Sequence, residues 1–277
     1  MIGLVAAKVM RKELFDAAEW NAANFLNQGR QIPFVAQFIA KREFDELVSL
    51  DHIIKRNYDL SEGTIRVIAK QLFEGLRLIH EKGLVHRDIK GENIMLHSPR
   101  GSGRVYVKIG DFGLVKFQDL QKQTMLMSAK GTPLNMAPEL VIGDRKADAK
   151  VDVWSMGVVL FQLVAHEYPI KATSNKTIDR PIIIKDDLFW DLLVNLLAFD
   201  RTKRFSAEQA LQHPYFTSTQ ALNEISQESH QIATSAQLAK SNGDTNITIY
   251  DIDPSYSLNG NEIKTALNYD PEIDLQP

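Results

Sequence analysis

Cysteine is absent from this chain. A disulfide framework and any thiolate-held metal are therefore excluded. Also missing is any run approaching the about 18 unbroken apolar residues that a membrane span requires. The apolar opening from Met1 to Val9 is short and runs straight into charge, which suits a buried strand better than a secretory leader. A formal net charge of −3 lacks the one-sided excess that draws proteins to nucleic acid or anionic lipid, so neither is an expected partner. No internal repeat is visible. The expected location is cytoplasmic, with the nucleus left open. Within 277 residues, 44% of them hydrophobic, there is material for one large domain or two small lobes around real cores.

Charge is unevenly placed. From Thr217 onward, nine acidic residues face only Lys240 and Lys264, a net of −7 that leaves the preceding residues at +4. This acidic stretch is rich in Ser, Thr, Asn and Gln and lacks a long amphipathic period, so 217–277 is expected to be disordered. The folded part is expected to end near Phe216.

Before that point the periodicities separate. Gly3 to Val9 and Pro33 to Ala40 read as strands, and Lys12 to Leu26 as a helix with Phe15, Ala18, Ala22, Phe25 and Leu26 on one face. Ser61-Glu62-Gly63-Thr64 opens a long helix to about His80, with Ile65, Ile68, Leu72, Leu76 and Ile79 at spacings of three and four; Gly83 stops it. Ile94 to Leu96 and Val105 to Ile109 read as paired strands across Ser98-Pro99-Arg100-Gly101-Ser102-Gly103. From Pro138 the pattern is helical almost throughout. Strands followed by helices predict an α+β architecture of two segregated layers.

Three strings then occur in order: His86-Arg87-Asp88-Ile89-Lys90-Gly91-Glu92-Asn93, Asp111-Phe112-Gly113 and Ala137-Pro138-Glu139. At average usage one tripeptide recurs by chance about once in 8000 positions, so the ordered set is no accident of composition. The hairpin between the first two brings Asn93 and Asp111 back to one mouth. Their hard oxygens suit Mg²⁺, which prefers oxygen ligands.

This set resembles the signatures of the eukaryotic protein kinase family. The resemblance implies a bilobal fold: a small, truncated strand-rich N-lobe over about 1–50, a larger mainly helical C-lobe over about 51–216, and together a kinase domain over 1–216. It implies ATP and Mg²⁺ as cofactors and a protein Ser or Thr hydroxyl as acceptor. Asp88 would orient that hydroxyl, Lys90 would hold the γ-phosphate, and Asn93 and Asp111 would hold metal. Lys90 and Gly131-Thr132-Pro133 resemble the serine/threonine branch. Val5-Ala6-Ala7-Lys8 resembles the strand whose Lys contacts the α/β-phosphates. Glu19 is its candidate partner, with Glu13 as the alternative. Asp152 is expected to brace the catalytic loop from beneath, and Glu139 to pair with Arg204. Arg87 beside Asp88 suggests control by phosphorylation at Ser128, with Thr124 in reserve.

The chain departs from the family pattern in three places. No glycine-rich phosphate loop precedes Lys8, the stretch from Ala40 to Ile53 is short for a strand and hinge, and Asn135 stands where the family has an aromatic residue. The expected function is serine/threonine kinase activity. The alternatives are a catalytically weak pseudokinase acting as a scaffold, or an incomplete copy of an active kinase.

Overall fold

A computed structural model describes residues 25, 33–35, 48–99, 101–118, 124–127, 131–142, 146–169 and 178–268. The first helix, α1 (Leu50–Lys55), starts from a reciprocal cap between Ser49 and His52. The second, α2 (Glu62–Glu81), starts at Ser61, whose hydroxyl accepts from the Thr64 N–H at 3.3 Å. All five apolar residues expected on its inner face are buried. Each such side chain contributes about 1.5–3 kcal/mol when removed from water. Gly75 in α2 has no side chain because Phe34 crosses there: a Cβ would lie 2.9 Å from the Phe34 carbonyl oxygen.

The chain then enters short antiparallel pieces. β1 (Leu84–Val85) precedes the hairpin β2 (Ile94–His97) and β3 (Arg104–Ile109), which pairs Ile94 with Ile109 and His97 with Tyr106. β4 (Lys116–Phe117) returns to β1, and β5 (Met125–Leu126) pairs with β6 (Lys146–Ala147). Alternation along β3 is strict in its inner half: Val105, Val107 and Ile109 are buried against α2. Of the strand expected over 33–40, only 33–35 are described. They form a turn ending in a parallel bridge from Val35 to Ile109.

Between β5 and β6 lies α3 (Pro138–Val141). The helical body follows. α4 (Lys150–Ala165) is apolar nearly all round and runs through the centre of the lobe, as a helix without a polar face must. α5 (Asp187–Leu196), α6 (Ala207–Leu211) and α7 (Pro214–Thr217) complete it, with Asp186 and Ser206 capping α5 and α6. Among the described residues no helix is long and apolar enough to cross a membrane.

The expectation of disorder after Phe216 is corrected over 217–268. That stretch forms α8 (Thr219–Asn223), α9 (Gln227–Ser241), β7 (Leu258–Asn259) and α10 (Gly260–Leu267). β7 adds to the outer edge of β3, opposite Arg104 and Val105. Leu258, Ile263, Ala266 and Leu267 join the main core. The physical reason is that much of this docking is polar and made with distant parts of the chain. Asp251, 3% exposed, accepts from Arg104 at 2.5 Å and from the Thr248 N–H and hydroxyl, and it also binds Tyr106. Gln71, fully buried on α2, donates to the Tyr256 carbonyl at 2.8 Å and accepts from the Val107 N–H at 2.7 Å. A composition-based reading counts such residues as solvated. Here each is paired, so its burial costs little.

Replacing Arg104 by Met leaves Asp251 buried without its ion partner. We expect a loss of about 3–5 kcal/mol in urea-unfolding free energy. A change below about 1 kcal/mol, within the range of an exposed pair, would show that this contact does not hold the C-terminal segment.

Candidate active site

The loop that carries Asp88 hangs from one buried carboxylate. Asp152, in the first turn of α4 and fully buried, accepts from the His86 N–H at 2.8 Å, the Arg87 N–H at 2.7 Å and His80 Nε2 at 2.9 Å. Burial alone would raise its pKa; the His80 bond, the nearby imidazoles and the Arg87 N–H outweigh it and hold the carboxyl below its usual range. Arg87 needs this support because its φ is +73°, which is unusual for a residue with a side chain.

His86 is fully buried and spans the loop. Its Nδ1 accepts from the Asp88 N–H at 3.3 Å, so its Nε2–H donates to the Gly110 carbonyl at 2.9 Å. That assignment is the neutral imidazole. Burial pushes its pKa down, against the pull of Asp152, the Gly110 bond, Asp88 and Asp111. The ring also meets Phe112 edge-on at 4.9 Å. His86 thus ties the first motif to the second as a structural residue.

Asp88 is the hub of the loop. Asn93 Nδ2 donates to the Asp88 carbonyl at 2.8 Å and to its Oδ2 at 3.0 Å, and Lys90 Nζ lies 3.3 Å from the same Oδ2. From the far side, the Thr132 N–H and hydroxyl both donate to Oδ1 at 3.2 Å. Gly131 makes this approach possible. Its φ is +121°, and a Cβ there would sit 2.6 Å from the Arg87 carbonyl oxygen. The Thr132–Asp88 contact was not read from the sequence; the two are 44 residues apart, and no local pattern announces it.

The hairpin returns the backbone next to Asp111 to the side of Asn93. The last rung of the β2–β3 ladder is the Gly110 N–H bonded to the Asn93 carbonyl at 2.9 Å, and Asp111 follows directly with φ +59°. Its Oδ1 accepts from the Gly113 N–H at 3.3 Å. Asn93 spends its amide nitrogen on Asp88, so its oxygen, the hard donor, is the end left for a cation. The donor set fits Mg²⁺ bound together with phosphates. Among the described residues no cluster of three or more His, Asp or Glu could hold a metal without such help. Lys8, Glu19, Glu13 and Ser128 lie outside the described residues. Glu139 and Arg204 form the expected pair, bidentate at 2.7 and 3.0 Å, with the guanidinium 5.0 Å from the Trp154 ring centre.

The family model described as protein kinase domain matches residues 21–216. The chain belongs to the protein kinase family. The α+β fold read from its motifs is the fold of that family. Three similar relatives carry the serine/threonine name. The chain is 34% identical over 172 residues to serine/threonine-protein kinase ULK1 of Homo sapiens, covering 56% of this chain and 16% of that protein. It is 36% identical over 188 residues to the probable serine/threonine-protein kinase fhkC of Dictyostelium discoideum, covering 63% and 30%. With serine/threonine-protein kinase shk1/pak1 of Schizosaccharomyces pombe it shares 36% over 181 residues, covering 60% and 26%. The chain thus spans a third or less of the length of these kinases. The match begins at Asn21, after Lys8 and Glu19, and ends before the segment 217–268 docked on the kinase lobe.

Two histidines set an acid limit on this kinase fold. Burial lowers His86, and burial reinforced by Lys108 lowers His97 to about 4. The unfolded chain protonates both near 6.5 while the folded chain does not. Stability is therefore complete above about pH 6.5 and falls as pH drops toward 4. Urea unfolding at pH 7.5, 6 and 5 should show the decline, and His97→Gln should flatten part of it. An unchanged pH slope in His97→Gln would remove that residue from the account.

Proposed function

We infer that this chain is a serine/threonine protein kinase that transfers the γ-phosphoryl group of Mg·ATP to a Ser or Thr hydroxyl of a protein. The observation that carries the reading is the network on Asp88. One carboxylate is reached by Lys90 and Asn93 at Oδ2 and by Thr132 at Oδ1, and Asn93 is bonded in turn to Gly110, the residue before Asp111. Phosphoryl transfer asks a protein for charge neutralisation, in-line placement and a group at the attacking hydroxyl, with little covalent chemistry.

The parts divide accordingly. Asp88 accepts a hydrogen bond from the acceptor hydroxyl and orients it. Lys90, already beside that carboxylate, supplies a point charge for the transferred group. Asn93 and Asp111 would hold Mg²⁺, which when bound neutralises phosphate charge. Thr132 fixes the Asp88 rotamer from the substrate side, so the hydroxyl meets a carboxylate already placed. Lys8 and Glu19 are assigned to the α/β-phosphates on motif resemblance alone. The substrate is a protein on the strength of the family and of the relatives' names. The intracellular location expected from the sequence accords with both.

The test is enzymatic. Asp88→Asn should lower turnover by about 10²-fold or more while Mg·ATP binding persists. Asp111→Asn should instead abolish the Mg²⁺-dependent part of nucleotide binding. In the parent chain, Mg·ATP at a hundredfold its Kd should stabilise by about 2.7 kcal/mol in a thermal-shift titration. No shift in the parent chain would favour a scaffold over an enzyme.

A further inference from the structure

β3 leads directly into Asp111, and its outer edge is closed by three different partners. β7 of the C-terminal segment takes Arg104 and Val105, the Gln71 side chain takes the Val107 N–H, and the Phe34 carbonyl takes the Ile109 N–H at 3.0 Å. The third partner sits two residues before Asp111. What holds it there is the C-terminal segment. The Tyr256 ring stacks on Phe34 at 5.6 Å and 16°, and Tyr250 meets Phe34 edge-on at 5.1 Å. The two tyrosines also pack against each other at 5.2 Å. The Tyr250 hydroxyl donates to Glu74 at 2.6 Å, and the Tyr256 carbonyl accepts from Gln71.

Phe34 is fully buried, pressed between Gly75 of α2 and these rings. An edge N–H with no fixed partner would let the end of β3 fray. The fraying would start at Ile109 and reach Asp111. Among the described hydrogen bonds and ion pairs of the segment, none is to Asp88, Lys90 or Asn93.

We propose that the C-terminal segment 226–268 is a built-in positioning element of the nucleotide site: Tyr250 and Tyr256 clamp Phe34, Phe34 fixes Ile109, and Ile109 sets Asp111. Tyr250, Tyr256 and Phe34 are positioning residues and touch no substrate. The consequence for nucleotide affinity rests on the kinase reading given above. The mechanical part does not. A kinase lobe ending at Phe216 would keep its catalytic loop and lose the clamp on its metal-holding arm.

The test uses the full chain with Tyr256→Leu, which removes the stacked ring, and Tyr256→Phe, which keeps it. Amide hydrogen exchange is followed in a peptide covering residues 107–113, with Mg·ATP affinity measured alongside. Tyr256→Leu should speed exchange in that peptide by about tenfold, and Tyr256→Phe should restore the parent rate. Mg·ATP binding should weaken about three- to tenfold in Tyr256→Leu, with turnover at saturating nucleotide nearly unchanged. Tyr250→Phe, which removes only the bond to Glu74, should show the same change at smaller amplitude and covers the case in which Tyr256→Leu does not fold. Parent-like exchange over 107–113 in a folded variant lacking the ring, or in Tyr250→Phe where that one fails to fold, overturns the proposal. Faster exchange in a chain that binds no Mg·ATP at all would keep the clamp and sink the kinase reading instead.

Discussion

A strand has two edges, and β2 can take only one edge of β3. This constraint organises most of what surrounds the hairpin. Unpaired N–H groups inside a core are costly, so each N–H on the second edge must find an acceptor. The solution is piecemeal: a two-residue strand, a buried amide side chain and one carbonyl from an earlier turn. Each partner recruits a different part of the chain to the same line. α2 supplies Gln71 and the gap at Gly75, the N-terminal part supplies Phe34, and the C-terminal segment supplies β7. The sheet is small, yet three regions of sequence meet on it.

A second constraint acts from below. Asp152 carries a charge in a fully buried position, which is tolerable only with several donors around it. The donors it gathers are the backbone N–H groups of His86 and Arg87 and the ring of His80. The requirement to satisfy one buried carboxylate therefore fixes the loop that presents Asp88. Helix α4 can bear that carboxylate because most of the rest of it is apolar and buried, packed so closely that a Cβ at Gly157 would lie 3.0 Å from Leu196 and Leu197 side-chain atoms. Charge satisfaction and close packing here serve the same end. The site is held by the core, and its loop needs little rigidity of its own.

How much of this was legible in the sequence follows from how local each signal is. The β2–β3 hairpin was readable because its alternation and its Pro/Gly connection are contiguous, and α2 because five apolar residues recur at helical spacing behind a Ser cap. The motifs located Asp88, Asn93 and Asp111. The Glu139–Arg204 pair, 65 residues apart, came from family resemblance and not from any local pattern. The C-terminal segment was misread because its anchors are polar residues whose partners lie elsewhere in the chain. Asp251 needs Arg104, and Glu262 binds Ser61 and Thr64 at the start of α2. In α9 the buried residues are small, Ser229, Ala233 and Ala236, so this helix shows no broad apolar stripe. The usable signals were its caps: Ser218, Ser226, Asp253 and Asn259 each accept from a backbone N–H two or three residues on.

Register is where these constraints converge. The pairing of Ile94 with Ile109 leaves Asn93 and Gly110 just beyond the ladder, joined by one last hydrogen bond. A slip of one residue would carry Asp111 about 3.3 Å along the strand and turn Val105, Val107 and Ile109 away from α2. The inner face alone opposes that slip, since it would expose three buried side chains. The outer edge opposes it independently, because β7 is matched to Arg104 and Val105, Gln71 to Val107 and Phe34 to Ile109, and a slip would break all these contacts together. In the kinase reading proposed above, Asn93 and Asp111 hold one cation, so their separation must be closely set. A hairpin pinned on one edge only could breathe at its open end. Pinning the second edge near Ile109, two residues from the carboxylate, puts the restraint where the ladder is about to end.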